Sequence, residues 1–185
     1  MVKKIVEQFK LEINSKEGSR VYAIFDGVKF PLLWIDLEDG VLQYDMLFKE
    51  EKRRKELWKV APYLVELNFE KEMLDESKKL LEGYGENGAI FFVTSLSFEE
   101  SLEKMRNIFN IDSTDGERGY FRFYNPSIFI ELIKHNNYNL VRDVFHNINA
   151  YFLEDIEENN ELMKYWSKDE NIYQTQLTKG IMDEN

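Results

Sequence analysis

The sequence predicts an α/β fold in which a mixed β-sheet of about five strands is flanked by helices, with a more helical C-terminal part. Short apolar runs such as Arg20–Phe25 and Gly88–Val93 are typical of strands that are buried on both faces. Segments with helical spacing, such as Leu102, Met105 and Phe109, alternate with these runs. Strands that alternate with helices favour a layered α/β architecture, and short connections between some of them favour a mixed sheet.

Composition indicates a folded protein that does not bind polyanions. Of the 185 residues, 43% are hydrophobic and 15% are aromatic, which is enough for one domain with a sizeable core. The 24 basic and 35 acidic side chains give a net charge of −11, which disfavours nucleic acid and anionic membrane surfaces as partners. Cysteine is absent, and no apolar run resembles a signal peptide or a membrane span. We therefore expect a single cytoplasmic domain over residues 1–185.

Local signals place the elements of the first half of the chain. Pro31 suits the first turn of a helix, whereas Pro62 can begin a strand but cannot occupy its middle. Gly83 is a typical helix stop. The predicted elements are a helix over Lys3–Ile13, a strand over Arg20–Phe25, a helix over Phe30–Leu37, a loop or edge strand over Val41–Phe48, a solvated charged face over Lys49–Glu56, a strand over Tyr63–Leu67 and a helix over Glu70–Leu81.

The second half carries a capping-box signature, because Glu100 follows Ser97 by three residues just before an apolar stripe. Asn136–Asn137 separates two further helical patterns. The predicted elements are a strand over Gly88–Val93, a helix from Ser97 to Phe109, a turn over Asp112–Gly116, a strand over Gly119–Pro126, helices over Ser127–Lys134 and Tyr138–His146, a strand over Ile148–Leu153 and a C-terminal helix suggested by Leu162, Met163, Tyr165 and Trp166.

Arg122 is the unusual residue of the aromatic stretch Gly119–Pro126. Strand alternation would place it between two tyrosines, on the face opposite the phenylalanines. A guanidinium in such a place requires a partner, because an unpaired buried charge is costly. We expect Arg122 to be largely buried and paired with a carboxylate, Glu66 being favoured and Asp26 next. A site for an anion or a peptide carboxylate is the alternative.

Few residues suggest catalysis. Asp26 and Glu66 each lie near a strand end, where they could act as a general acid and a general base, and a small carboxylate-dependent hydrolase is therefore one hypothesis. His135 and His146 have no third ligand at metal spacing. The sequence contains no phosphate-binding glycine loop and no nucleophile elbow. We therefore expect a protein with no catalytic residues, no metal and no cofactor.

Several sequence blocks occur in the order of a known family. They are Tyr22–Gly27 (YAIFDG), Ala61–Leu67 (APYLVEL), the strand from Gly88, the helix Leu102–Phe109, Phe121–Pro126 (FRFYNP) and Ala150–Glu154 (AYFLE). Over about Val21–Ile156 the chain resembles the effector adaptor chaperones of bacterial type VI secretion, the Tap or TEC family. Two positions depart from the family pattern: Asn125 stands where Asp is usual, and Ser127 where Arg is frequent.

The resemblance implies a non-enzymatic adaptor that binds a toxic effector in the cytoplasm of the producing cell and loads it onto the spike protein VgrG. It also implies an α/β lobe followed by a more helical lobe, with residues 157–185 as a helical extension. Five motif residues carry over, either as cargo contacts or as supports of the fold: Asp26, Glu66, Arg122, Tyr124 and Pro126.

Aromatic residues near the charged runs of the chain are candidate anchors for a protein partner. Trp58 follows the basic run Lys49–Lys55, and Tyr151 precedes the acidic stretch Glu154–Glu161. An immunity protein that neutralises a secreted toxin is the alternative function, because such proteins are often small and acidic.

Overall fold

The computed structural model describes residues 2–70, 74–81, 87–112, 118–135, 138–155, 161–169 and 171–177. The helices within these ranges are α1 (Val2–Ser15), α2 (Leu33–Glu38), α3 (Glu51–Leu57), α4 (Leu74–Leu81), α5 (Phe98–Phe109), α6 (Pro126–Lys134) and α7 (Tyr138–Phe145), with a 3-10 turn at Trp58–Val60. The strands are β1 (Arg20–Asp26), β2 (Tyr44–Met46), β3 (Pro62–Leu67), β4 (Ala89–Thr94), β5 (Asn110–Asp112), β6 (Arg118–Tyr120), β7 (Ala150–Asp155), β8 (Glu161–Lys168) and β9 (Asn171–Gln176).

Seven strands form one sheet in the order β2-β3-β1-β4-β7-β8-β9, and β5 and β6 form a separate pair. Every pairing in the large sheet is antiparallel. The predicted α/β class is confirmed, but the prediction of a mixed sheet of about five strands is wrong in strand count and in strand direction. Buried apolar runs identify only the interior strands, whereas the additional strands lie toward the two edges of the sheet.

Both faces of the interior strands are covered, as the apolar runs predict. On one face, Phe9 of α1 packs against Phe91 of β4 and Phe152 of β7, with ring centroids 5.5 and 5.3 Å apart. On the other face, Phe92 packs against Tyr22 and Tyr151 at 5.3 and 5.8 Å. Adjacent side chains of a strand therefore enter different halves of the core. None of the described helices has the length and apolarity that a membrane span requires.

Most predicted elements are confirmed with small shifts in their ends. Ser97 caps α5 through a reciprocal capping box with Glu100, as the spacing predicts. The helix predicted from Phe30 begins at Leu33, and the charged run after Phe48 forms α3, which buries none of its residues. The helix predicted from Glu70 is described from Leu74 onward. Gly83, Asn136–Asn137 and most of the predicted turn over Asp112–Gly116 lie outside the described residues.

The predicted C-terminal helix is wrong. Residues 161–168 form β8, which pairs with β7, and the chain then turns at Asp169 (φ 50°) into β9. Apolar residues between 162 and 166 fit a short helix and a strand equally well, and pairing with β7 decides for the strand. Trp166 of β8 stacks on Tyr173 of β9 with centroids 5.7 Å apart. The helical extension expected over 157–185 is therefore a hairpin in its described part.

The strand predicted over Gly119–Pro126 is too long. It ends at Tyr120, and the following residues form tight turns in which Phe123 N donates to Phe121 O at 2.8 Å and Asn125 N donates to Arg122 O at 3.0 Å. These local hydrogen bonds replace the strand ladder that the alternation of aromatic residues suggests. Arg122 therefore projects from a turn at one end of the large sheet rather than from the middle of a strand.

Candidate partner-binding site

Four of the sequence blocks meet where β1 ends. The backbone N–H of Asp26 donates to Gly88 O at 2.8 Å, and that of Gly27 donates to Ala61 O at 3.1 Å. The Arg122 guanidinium donates to the carboxylate of Asp26. We call this cluster of Asp26, Gly27, Ala61, Gly88 and Arg122 the Asp26 junction. A Cβ at Gly27 would lie 2.4 Å from Ala61 O, so the close approach of the two backbones requires glycine there.

The carboxylate of Asp26 is the buried half of an ion pair. Its side chain is 3% exposed, and that of Arg122 is 46% exposed. One oxygen of Asp26 accepts from Arg122, and the other accepts from the backbone N–H of Val28 at 3.1 Å. The expectation of a carboxylate partner for Arg122 is confirmed. The preferred partner, Glu66, and the expected deep burial of Arg122 are both wrong, because Arg122 lies in a surface turn beside the end of β1.

Tyr124 completes the surroundings of this ion pair. The Cζ atom of Arg122 lies 5.9 Å from the centroid of the Tyr124 ring, and the tyrosine is almost fully buried. Burial, with a contribution from the charge of Asp26, raises the pKa of Tyr124 to about 12. Desolvation opposes the charge of Arg122, but Tyr124 and Asp26 outweigh it and raise the pKa of the guanidinium. The cluster therefore holds a charged arginine at the surface.

Pro126 has a structural role at the start of α6. It is buried at the first position of the helix, where its missing N–H costs nothing. Asn125 is the N-cap, and its side-chain oxygen accepts from the N–H groups of Ser127 and Ile128 at 3.0 and 3.4 Å. Asparagine is as good an N-cap as aspartate. The departure at Asn125 from the family pattern therefore preserves the cap.

Glu66 lies away from the Asp26 junction. In the β1–β3 register it faces Tyr22, four positions along β1 from Asp26, which corresponds to about 13 Å. Its side chain accepts from Arg20 at 3.2 Å, at the edge of a groove of about 530 Å³ between α1 and β3. The structure does not bring the two carboxylates of the hydrolase hypothesis together. Within the described ranges, no three His, Asp or Glu side chains are grouped to hold a metal ion.

Tyr151 is a core residue, and its prediction as a partner anchor is wrong. Its side chain is fully buried because β7 is an interior strand. Its hydroxyl donates to Val144 O at 2.9 Å, and its ring packs against Phe129 and Phe145 at 4.9 and 5.2 Å. Burial raises the pKa of the Tyr151 hydroxyl well above its usual value.

Trp58, the other predicted anchor, lies at the surface. It is partly buried in the 3-10 turn after α3 and meets Trp34 of α2 edge to face, with centroids 4.5 Å apart. The Nζ atom of Lys59 lies 5.2 Å from the Trp58 ring and 5.4 Å from the Trp34 ring. This arrangement places two large aromatic side chains and a cation together where a partner can reach them.

The helix beside Trp58 is apolar on its outer side, which the sequence reasoning missed. Leu33 and Leu37 of α2 face the core at 5% and 2% exposure, whereas Leu32 and Ile35 are 65% and 36% exposed. The signal was the unbroken apolar run Leu32–Ile35, because a surface helix can bury only one side. The outer apolar residues of α2 and of the adjoining 3-10 turn form a surface that we call the α2 patch: Leu32, Trp34, Ile35, Trp58 and Val60.

Comparison with known proteins gives a family match. A family model described as "Domain of unknown function (DUF4123)" matches residues 21–139, more than half of the chain. The matched span begins at β1 and ends in α7, so it contains the Asp26 junction and the α2 patch. No curated protein and no solved structure matches the chain.

Proposed function

The chain belongs to the DUF4123 family, and from this premise we propose that it is an adaptor of bacterial type VI secretion. It binds a toxic effector in the cytoplasm of the producing cell and loads the effector onto the VgrG spike. The proposal joins the family membership to the resemblance carried by the YAIFDG, APYLVEL and FRFYNP blocks.

The observation that carries the proposal is how the motif residues are used. Both oxygens of the Asp26 carboxylate are occupied, one by Arg122 and the other by the Val28 N–H. Glu66 is held by Arg20 on a different part of β3. The two carboxylates are thus used to hold chain segments together. This use supports a protein that acts by binding, because acid–base chemistry by a carboxylate pair needs two free carboxylates that lie close together.

An exposed apolar surface beside the junction supports the same conclusion. Apolar side chains of a monomeric protein are normally scattered, whereas contiguous ones mark interaction sites. The α2 patch adjoins the junction through Gly27, whose backbone contacts Ala61 immediately after Val60. A carrier must also release its cargo, which favours a small mixed surface of this kind over an extensive apolar interface.

Co-expression tests the proposal. The tagged protein is produced with the effector and the VgrG of the same secretion gene cluster, and retention of each is measured by pull-down. We expect the effector and the spike each to be retained, and deletion of the adaptor gene to abolish effector secretion and killing of competitor cells. Retention of neither partner, together with unchanged secretion, would refute the adaptor function. Binding to the catalytic domain of the toxin, with rescue of intoxicated cells, would support the immunity alternative instead.

A further inference from the structure

We propose that the α2 patch is the surface that receives the effector, and that its occupant is an amphipathic effector segment with acidic residues beside its apolar anchors. This inference rests on the proposed function and specifies where and by what chemistry the cargo binds. It follows from the apolarity of α2, from the aromatic pair next to it and from the charges around it.

The apolar content of α2 exceeds what the fold itself uses. Leu33 and Leu37 anchor the helix to the core, whereas Leu32 and Ile35 leave 65% and 36% of their surface exposed. A surface helix normally exposes its polar residues, and α2 exposes Leu32 and Ile35 in addition to its polar residues, the partly exposed Asp36 and the exposed Glu38. The position of Val60 at 42% exposure on the adjoining turn extends the uncovered apolar surface beyond the helix. A partner that covers it gains the free energy of burying this area.

Trp34 and Trp58 supply anchors that are already in place. The two rings meet edge to face with centroids 4.5 Å apart, so both side chains are already restricted in the free protein. Tryptophan is enriched among the residues that contribute most to protein–protein affinity, and restricted side chains lose little entropy on binding. The patch is therefore suited to receive the apolar side of a helix or of an extended segment.

The charges at the border select an acidic partner. Lys59 lies over both tryptophan rings, and Lys29 lines a groove of about 290 Å³ that also includes Leu32 of the patch. Among the described residues, neither lysine has a carboxylate within salt-bridge distance, whereas Asp36 in the same groove is neutralised by Lys79 at 2.5 Å. Glu38 at the end of α2 is exposed, so the cations of this surface are Lys29 and Lys59 and not its whole border. These two cations therefore favour Asp or Glu on the segment that binds there.

The test measures the affinity of purified effector, from the same secretion gene cluster, for the parent protein and for matched pairs of variants. Ile35→Asp should weaken effector binding at least tenfold, whereas Leu11→Asp, at a residue 64% exposed on α1, should leave the affinity unchanged. Lys59→Glu should weaken binding severalfold and reduce its salt dependence, whereas Lys10→Glu on α1 should not. Thermal melts of Leu11→Asp, Lys59→Glu and Lys10→Glu should match that of the parent. Ile35 is only 36% exposed, so Ile35→Asp should lower Tm, and its binding is measured at a temperature where circular dichroism shows the variant fully folded, which separates loss of binding from loss of folding.

A charge-reversal experiment identifies the occupant. Cross-linking from position 32 locates the effector segment, and replacing its acidic residues by lysine should restore binding to the Lys59→Glu variant. The docking inference fails, with the adaptor function intact, if the parent binds effector and Ile35→Asp binds equally well. Both fail if the parent binds neither effector nor spike. A concentration-dependent dimer that Ile35→Asp dissociates would overturn the inference in favour of self-association.

Discussion

Replacing Arg122 by alanine tests whether the Asp26 junction holds the fold. The substitution leaves the Asp26 carboxylate, 3% exposed, with the Val28 N–H as its remaining hydrogen-bond donor among the described residues. Breaking a fully buried ion pair costs about 3–5 kcal/mol, whereas exposed pairs contribute about 0–1 kcal/mol. Because Arg122 is 46% exposed and its charge is screened by water, we expect a cost between these limits, about 2 kcal/mol.

Arg20→Ala is the matched control for this measurement. Arg20 is 47% exposed, nearly the same as Arg122, but its partner Glu66 is 20% exposed, far more than Asp26. We therefore expect Arg20→Ala to cost less than about 1 kcal/mol. The comparison isolates the burial of the carboxylate, since the arginines removed are equally accessible.

Thermal and urea unfolding followed by circular dichroism measure both variants. For a chain of this size a loss of 1 kcal/mol lowers Tm by about 2–4 °C, so Arg122→Ala should lower it by about 4–8 °C. Asp26→Asn should cost less than Arg122→Ala, because the amide still accepts from Val28 and the arginine turns to water. Equal Tm values for Arg122→Ala and Arg20→Ala would refute the reasoning, and so would a larger cost for Asp26→Asn.

Three further predictions concern the cap of α5, the backbone at the junction and the buried phenols. Ser97→Ala removes the reciprocal capping box and should lower the free energy of unfolding by about 1 kcal/mol in urea titrations. Gly27→Ala places a Cβ 2.4 Å from Ala61 O, so it should lower Tm more than Arg122→Ala does. Burial raises the pKa of Tyr22, Tyr63 and Tyr124 to about 12, above the usual 10.0. Between these values the unfolded chain releases phenolic protons that the folded chain retains, so stability is complete below pH 10 and falls toward pH 12. Absorbance at 295 nm during alkaline titration should show these phenols ionising late, together with unfolding.

The interior of the fold was predictable because each of its signals is local. The apolar runs of β1 and β4 are typical of strands covered on both sides, and the Ser97–Glu100 spacing indicates a helix start within four residues. The edges were not predictable in the same way. Residues 161–168 form β8 because they pair with β7, and no local pattern within the segment predicts that pairing.

The candidate site, too, was only partly predictable from local sequence patterns. The need of Arg122 for a carboxylate follows from its charge, but the choice of Asp26 over Glu66 depends on strand register, which places Glu66 opposite Tyr22. Trp58 and Tyr151 also look alike as aromatic residues near charged runs. The interior position of β7 in the sheet buries Tyr151, whereas Trp58 lies in a 3-10 turn outside the sheet and is only partly buried.

The division between buried and exposed residues has a consequence for partner choice. The motif blocks supply the Asp26 junction and the interior strands, where Tyr22, Phe25 and Leu64 are almost wholly buried. Side chains in the core cannot touch a partner, so under the proposed adaptor function these buried motif residues do not determine which cargo is bound. Leu32 and Ile35 lie between the first two blocks and are exposed. If the α2 patch receives the cargo, residues outside the motifs set its specificity, and exchanging residues 28–35 between two family members should exchange their effector preference in pull-downs without lowering Tm. Preferences that stay with the remainder of the chain would place recognition elsewhere.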